Sequence, residues 1–275
     1  MFTVHRFRWT QSKQFEVSSL NYKAIAFFDL DGTLLDQNSQ ITPEVADGML
    51  RLKANGVLPV IATGRTEIEI LDIRKAAHID SNIVMNGAYI RVDGQEVYSD
   101  LIPKAQIEKM YHAVLDHGDQ LAYYNEGAIW CTGHSEDLIG AYTFIHSKIP
   151  PIDPQGFQNK PVNMLLVLGR EYRDFYEENF PAFDFYRNTP YSMDTVKKGI
   201  SKGAAVKILQ EKTGLTNLPT YGFGDGPNDV ALLGACDHKI AMGNAGEELK
   251  QMADFVTKKN TEGGILHALE HFQLI

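Results

Sequence analysis

The strongest constraint on the fold is a rhythm that begins at Tyr22, where short apolar runs end in acid or glycine and alternate with amphipathic stretches. Residues 24–30 (AIAFFDL) suit a strand buried on both faces, because nothing polar interrupts the run before Asp29. Residues 42–55 predict a helix: Thr42 can cap its start, Pro43 takes the first helical position, and Gly56 stands just past its end. Residues 57–62 (VLPVIA) read as a second buried strand closing on Thr63-Gly64-Arg65, residues 66–77 as a helix, and residues 82–85 as a third strand. Strand, helix, strand, helix, strand is the pattern of a parallel, doubly wound sheet.

The rhythm changes after residue 85. Residues 88–99 hold Asp93-Gly94 between two alternating runs, YIRV and EVYS, which predicts an antiparallel hairpin. Further strands are expected at 121–124, 128–131, 162–168, 183–186 and 191–195, with helices at 104–117, 136–147 and 172–179. After Lys198 the parallel rhythm returns, with helices at 202–213 and 228–235 and strands at 220–224, 239–242 and 254–257. The expected fold is α/β: a doubly wound parallel-sheet (Rossmann-like) core of residues 22–85 and 190–275, with an inserted α+β cap domain at 86–189. Residues 1–21 stand apart as an N-terminal extension. Arg6, Arg8 and Lys13 face one acid, Glu16, and the aromatics alternate instead of forming the apolar run of a secretory signal, so an accessory or artefactual extension is expected.

Four polar clusters fall at the carboxyl ends of expected core strands, where an open parallel sheet places its binding crevice. In the first, Asp29 and Asp31 leave a strand into a glycine turn at Gly32. One carboxylate can attack phosphorus to form an aspartyl-phosphate, and its neighbour can protonate the leaving alkoxide and later deprotonate water. A turn that merely closes a strand has the same letters. In the second cluster, Thr63, Gly64 and Arg65 offer a hydroxyl and amides at a helix start, a ready anion site that also reads as a plain cap. The third, Gly199-Ile200-Ser201-Lys202-Gly203, opens a helix with a lysine able to neutralise phosphoryl oxygens, a role for which Lys197, Lys198 and Lys207 compete. The fourth, Gly224-Asp225-Gly226-Pro227-Asn228-Asp229, gathers the hard oxygen donors that magnesium takes.

DLDGTLLD, beginning at Asp29, resembles the first motif of the haloacid-dehalogenase superfamily of phosphohydrolases, and the other three clusters resemble its remaining motifs in order. The resemblance implies Asp29 as nucleophile and Asp31 as acid and base. It implies that Thr63 and the Gly64 amide hold phosphate oxygens, with Arg65 beside them or bracing the crevice. The family's Ser-Lys-Gly pattern falls on Lys202. Asp225 becomes a direct Mg²⁺ ligand together with Asp29 and the Asp31 backbone carbonyl, Asp229 supports the metal, and Asn228 positions phosphate or Lys202.

Thr63 follows Asp29 by 34 residues and Lys202 follows Thr63 by 139, so an insert lies between the second and third motifs. Its mixed content resembles the α/β cap of the Cof-like (type IIB) sugar-phosphatase group, with Asn86-Gly87-Ala88 as the junction and Gly87 a hinge. A Mg²⁺-dependent phosphatase of small phosphorylated metabolites, such as sugar or vitamin phosphates, is implied. A phosphohexomutase-like transferase and a non-catalytic phosphate-binding regulator are the alternatives. Tyr123, Tyr124, Asn125, Trp130 and His134 are candidate substrate contacts in the cap, or else packing residues of its sheet.

Charge and composition narrow the partners. A net charge of −9, from 26 basic and 35 acidic residues, argues against a nucleic-acid binder while leaving room for a locally cationic cleft. No apolar run approaches the roughly 20 residues that cross a bilayer. Cys131 and Cys236 have no metal-ligand spacing, so neither a disulfide scaffold nor a zinc site is expected, and a cytoplasmic location fits. A monomer or weak homodimer is expected.

Overall fold

The computed structural model describes residues 22–145 and 147–275, so the N-terminal extension lies outside the described residues. The first stretch follows the expected order: β1 (Ala24–Phe28), α1 (Pro43–Ala54), β2 (Val57–Ala62), α2 (Glu67–Ala77) and β3 (Ser81–Val84). Thr42 caps α1, its Oγ1 accepting from the Val45 amide at 3.3 Å. All five β1 residues are buried because the strand's two faces pack in opposite directions. Ala24, Ala26 and Phe28 join Met49 and Leu52 of α1, while Ile25 and Phe27 join apolar residues of the opposite helical layer.

Next come β4 (Tyr89–Val92), β5 (Gln95–Ser99), α3 (Lys104–Asp116), β6 (Gln120–Tyr124), β7 (Ile129–Cys131), α4 (Glu136–Phe144), β8 (Met164–Leu168), α5 (Arg173–Asn179), β9 (Phe183–Thr189) and β10 (Ser192–Lys197). The chain closes with α6 (Lys202–Thr213), β11 (Thr220–Gly224), α7 (Val230–Ala235), β12 (His238–Ala241), α8 (Glu247–Met252), β13 (Phe255–Val256) and α9 (Gly264–His271).

Among the described residues the strands form two sheets. The larger has eight strands in the order β13-β12-β11-β1-β2-β3-β4-β5, and the smaller has five in the order β7-β6-β8-β10-β9. From β13 to β3 all pairings of the large sheet are parallel, whereas the small sheet is antiparallel throughout. The chain order reverses at β1, whose neighbours are β2 and β11, so the crevice opens at the carboxyl ends of these strands.

Two expected boundaries are corrected. The hairpin at 88–99, placed in the insert by its antiparallel pattern, instead extends the large sheet, with β4 pairing to β3. Ile90 and Val92 pack with Ile83 and the α6 side chains Ala205 and Val206, and the hairpin covers what would be an open edge of β3. Gly87 is therefore not a junction into the second sheet; its φ of +109° serves a close approach in which a Cβ would stand 2.5 Å from the Ser201 carbonyl oxygen. At the other end, residues 192–197 were expected in the core but form β10, which pairs with β8 and β9 of the small sheet. α8 and α9 were not expected. The signal for α9 was present, since Ile265, Ala268 and Leu269 recur at helical spacing and are buried against the large sheet.

Candidate active site

β1 delivers Asp29 to the crevice, its amide donating to the Phe223 carbonyl of β11 at 3.0 Å. The chain then makes a wide turn in which the Leu34 and Leu35 amides return to the carbonyls of Asp29 and Leu30. Gly32 takes φ +82° in this turn, and a Cβ there would stand 2.3 Å from Asp225 Oδ2. Only glycine lets the two loops approach so closely. Thr33 Oγ1 donates to Asp225 Oδ1 at 2.9 Å, tying the first cluster to the fourth.

Lys202 enters from the first turn of α6, which Ser201 caps through the Ala204 amide. A Cβ on Gly203 would lie 2.1 Å from the Ala231 carbonyl oxygen, so this glycine lets α6 and α7 close on each other. The buried Lys202 Nζ donates to Asp29 Oδ1 at 2.6 Å and to Asp229 Oδ1 at 2.7 Å. Asp229 Oδ2 accepts from the amides of Asp225 and Gly226 at 3.1 and 3.0 Å. Both Asp229 oxygens are thus engaged, which makes this residue the support of the loop and of Lys202.

Carboxylate oxygens of Asp29, Asp225 and Asp229 all lie within 4.8 Å of one another. Burial first, and then the charge of Asp229, push the Asp29 carboxyl up to about 8 against the pull of Lys202. Burial likewise pushes Asp225 up to about 6, opposed by its bond from Thr33. For Lys202 burial works the other way, but Asp229 and Asp29 together outweigh it and hold the ammonium above its ordinary value. Crowded acids raised in this way form an all-oxygen donor set whose charge a hard divalent cation would offset.

The remaining expected residues frame a cavity of about 770 Å³ between the two sheets, lined by Asp29, Asp31, Thr63, Gly64, Arg65 and Asn228 on the large-sheet side. Asp31 is held by both arms of Arg65, Nε donating to Oδ2 at 2.9 Å and Nη2 to Oδ1. Arg65 therefore fixes Asp31. Thr63 is buried beside them, its Oγ1 accepting from the Arg65 amide at 3.2 Å. Lys197, Lys198 and Lys207 play no part in this cluster: Lys197 pairs with Asp100 and Lys198 with Asp184, and α6 carries Lys207 beyond the turn that bears Lys202.

Of the five residues singled out in the insert, Tyr124 lines the cavity and shares a hydrogen bond with Tyr142 at 2.6 Å. Tyr123 and Trp130 are stacked in the small sheet's apolar layer, Asn125 orders its own loop, and His134 bonds the Pro150 carbonyl. Sequence reasoning missed Thr33 and Asn244. Asn244 Nδ2 donates to the Gly32 carbonyl at 2.8 Å and reaches Asp225 Oδ2 at 3.3 Å. Its only signal was its position, in the loop after a core strand. Also missed was the buried bond from Asn86 Nδ2 to Asp194 Oδ2, 2.7 Å long, against which Gly64 packs.

Comparison with known proteins adds to this geometry. The profile of a family described as haloacid dehalogenase-like hydrolase matches residues 26–269. The Bacillus subtilis (strain 168) protein YkrA is 29% identical over 253 residues, covering 91% of this chain and 98% of that one. A crystal structure of a Geobacillus kaustophilus HTA426 protein superposes with a TM-score of 0.85 at 32% identity, over 92% of this chain and 100% of the other. The structure of BT4131, described as a subclass IIB sugar phosphatase, superposes with a TM-score of 0.81 at 28% identity over 92% and 100%.

Proposed function

This chain belongs to the haloacid dehalogenase-like hydrolase family, and on that footing we propose a magnesium-dependent phosphatase that cleaves small-molecule phosphate monoesters through an aspartyl-phosphate on Asp29. Its enzyme class is phosphoric monoester hydrolase. Sugar phosphates and vitamin or cofactor phosphates are the substrates that the cavity and the family suit. The observation that carries the reading is the convergence of Asp29, Asp225 and Asp229 on one point beside Lys202.

Asp29 and Asp225 would hold Mg²⁺ with the Asp31 backbone carbonyl, and Asp229 would brace the loop behind them. Bound there, Mg²⁺ would supply charge neutralisation between the attacking carboxylate and the phosphoryl dianion. The chain's own groups do the rest. Thr63 and the Gly64 amide hold phosphoryl oxygens at the start of α2, Asn228 closes on the phosphate from the β11 loop, and Lys202 offsets charge on Asp29 and on the group being transferred. A carboxylate oxygen of Asp29 attacks phosphorus as the ester oxygen departs, and Asp31 gives that oxygen its proton. Arg65 stabilises the Asp31 carboxylate that remains. Asp31 then takes a proton from the water that attacks the phosphorus of the aspartyl-phosphate, releasing phosphate and restoring Asp29. The small-sheet unit acts as a lid that keeps bulk water out during transfer.

Phosphate release from a panel of sugar phosphates, pyridoxal phosphate, FMN and nucleotides, with Mg²⁺ or with EDTA, tests the reading. Turnover of at least one ester is expected, lost with EDTA and in Asp29→Asn. Full activity in Asp29→Asn would contradict it.

A further inference from the structure

Arg173 at the start of α5 and Arg187 in β9 line the same cavity as Asp29 and Thr63, but from the small-sheet side. Their partners leave both guanidiniums available. Arg187 Nη1 donates to the Pro190 carbonyl at 3.0 Å, and among the described residues no carboxylate pairs with it. Arg173 bonds Glu177 one turn along α5, at 2.7 Å, with the two side chains 46% and 42% exposed. Such a hydrated surface pair contributes little and exchanges readily.

The acids on the cavity wall are engaged elsewhere. Asp29 is held by Lys202, Asp31 by Arg65, Glu69 by the Thr66 amide and the Ser147 hydroxyl, and Asp194 by Asn86. The small-sheet side of the cavity thus presents two guanidiniums beside the single Asp194 carboxylate of β10, in a chain whose net charge is −9. Both guanidiniums line this one cavity, and burial, followed by the charge of Arg173, holds Arg187 below its ordinary value. Two like charges facing one cleft focus its potential and are relieved by an anion between them.

We propose that Arg173 and Arg187 form a second anion subsite, so that the leaving group of the substrate itself carries a phosphate or a carboxylate. The proposal rests on the phosphatase reading, which assigns the scissile phosphate to the large-sheet side and leaves these arginines for the other end of the molecule. A cavity of about 770 Å³ has room for a doubly charged metabolite of hexose size. Guanidinium pairs bidentately with both phosphate and carboxylate.

The test compares kcat/KM within matched pairs: fructose 1,6-bisphosphate against fructose 6-phosphate, and 6-phosphogluconate against glucose 6-phosphate. At least one doubly anionic member is expected to lead by roughly 10- to 100-fold, and the pair that shows the lead tells phosphate from carboxylate. Arg187→Gln and, separately, Arg173→Gln on the exposed helix should each shrink that lead towards one, chiefly through KM. Arg187→Lys should keep part of it. No lead in the unaltered protein, or a lead undiminished in both glutamine variants, overturns the subsite. Hydrolysis of p-nitrophenyl phosphate by the unaltered protein separates the two claims: if it proceeds without any anion preference, the subsite alone fails. Silence on every ester overturns both.

Discussion

Lys202 Nζ lies 2.6 Å from Asp29 Oδ1, and the lysine that makes this contact is 99% removed from solvent, its side-chain exposure being 1%. The same ammonium holds Asp229, which is wholly buried. One cation therefore joins the nucleophile's strand to the loop that follows β11. Its removal would leave two buried acids facing each other with no proton donor between them.

Lys202→Met should accordingly lose about 3–5 kcal/mol of stability, because a buried ion pair broken on one side leaves its partners uncompensated. Urea denaturation in EDTA measures this. Phosphatase activity should fall with it, even at temperatures where the variant remains folded. An unchanged denaturation midpoint would show that the contact does not hold the site together.

Gly32→Ala tests the close approach of the two loops. The new methyl would fall within 2.3 Å of Asp225 Oδ2, at a φ of +82° that alanine also resists. Either the turn or the Asp225 carboxylate must move. The Mg²⁺ concentration giving half-maximal activity should rise about tenfold or more, since metal sites tolerate ligand displacement poorly. Wild-type Mg²⁺ dependence in this variant would show that the turn does not position Asp225.

Acidity should weaken metal binding in a defined direction. Before metal binds, Asp225 is pushed up to about 6 and Asp29 up to about 8, each by burial first. A cation needs both carboxylates ionised, so binding must displace whatever protons they hold. Apparent Mg²⁺ affinity should therefore decline as pH falls below about 8 and more steeply below about 6, approaching about tenfold per pH unit for each proton displaced. Calorimetry in buffers of different ionisation enthalpy reads both the affinity and the released protons. A flat profile over this range contradicts the prediction.

The parallel core was legible because β1, β2 and β11 carry apolar runs that lead into the clusters at Asp29, Thr63 and Asp225, whereas the third cluster opens α6 after β10 of the small sheet. Lys202 could be chosen over Lys197 and Lys198 only through the resemblance, since a lysine's letter says nothing of its burial. The hairpin was legible as a hairpin but not as part of the large sheet, because alternation reports pairing and not which edge is extended. Thr33 and Asn244 bond Asp225 through contacts that span 192 and 19 residues, and no local spacing encodes these. In sequence Arg65 was open to two readings, beside the phosphate site or bracing the crevice. Its bond to Asp31 depends on how two crevice loops face each other, which only the folded chain determines.

Asp31→Asn separates proton transfer from phosphoryl transfer. Loss of a positioned general acid costs roughly 10²- to 10⁴-fold where the leaving oxygen must be protonated. The fall should be near that range for a sugar phosphate and clearly smaller for p-nitrophenyl phosphate, whose phenolate leaves without help. Equal losses on the two esters would place Asp31 in another role.

The most direct measurement is an acid-quenched single turnover with peptide mapping by mass spectrometry. Enzyme in excess is mixed with a phosphate ester and Mg²⁺ and stopped within the first turnover. The account predicts a hydroxylamine-sensitive phosphoryl group on the peptide that contains Asp29, appearing before free phosphate and missing in Asp29→Asn. Phosphate released at the full rate with Asp29 never modified would contradict it.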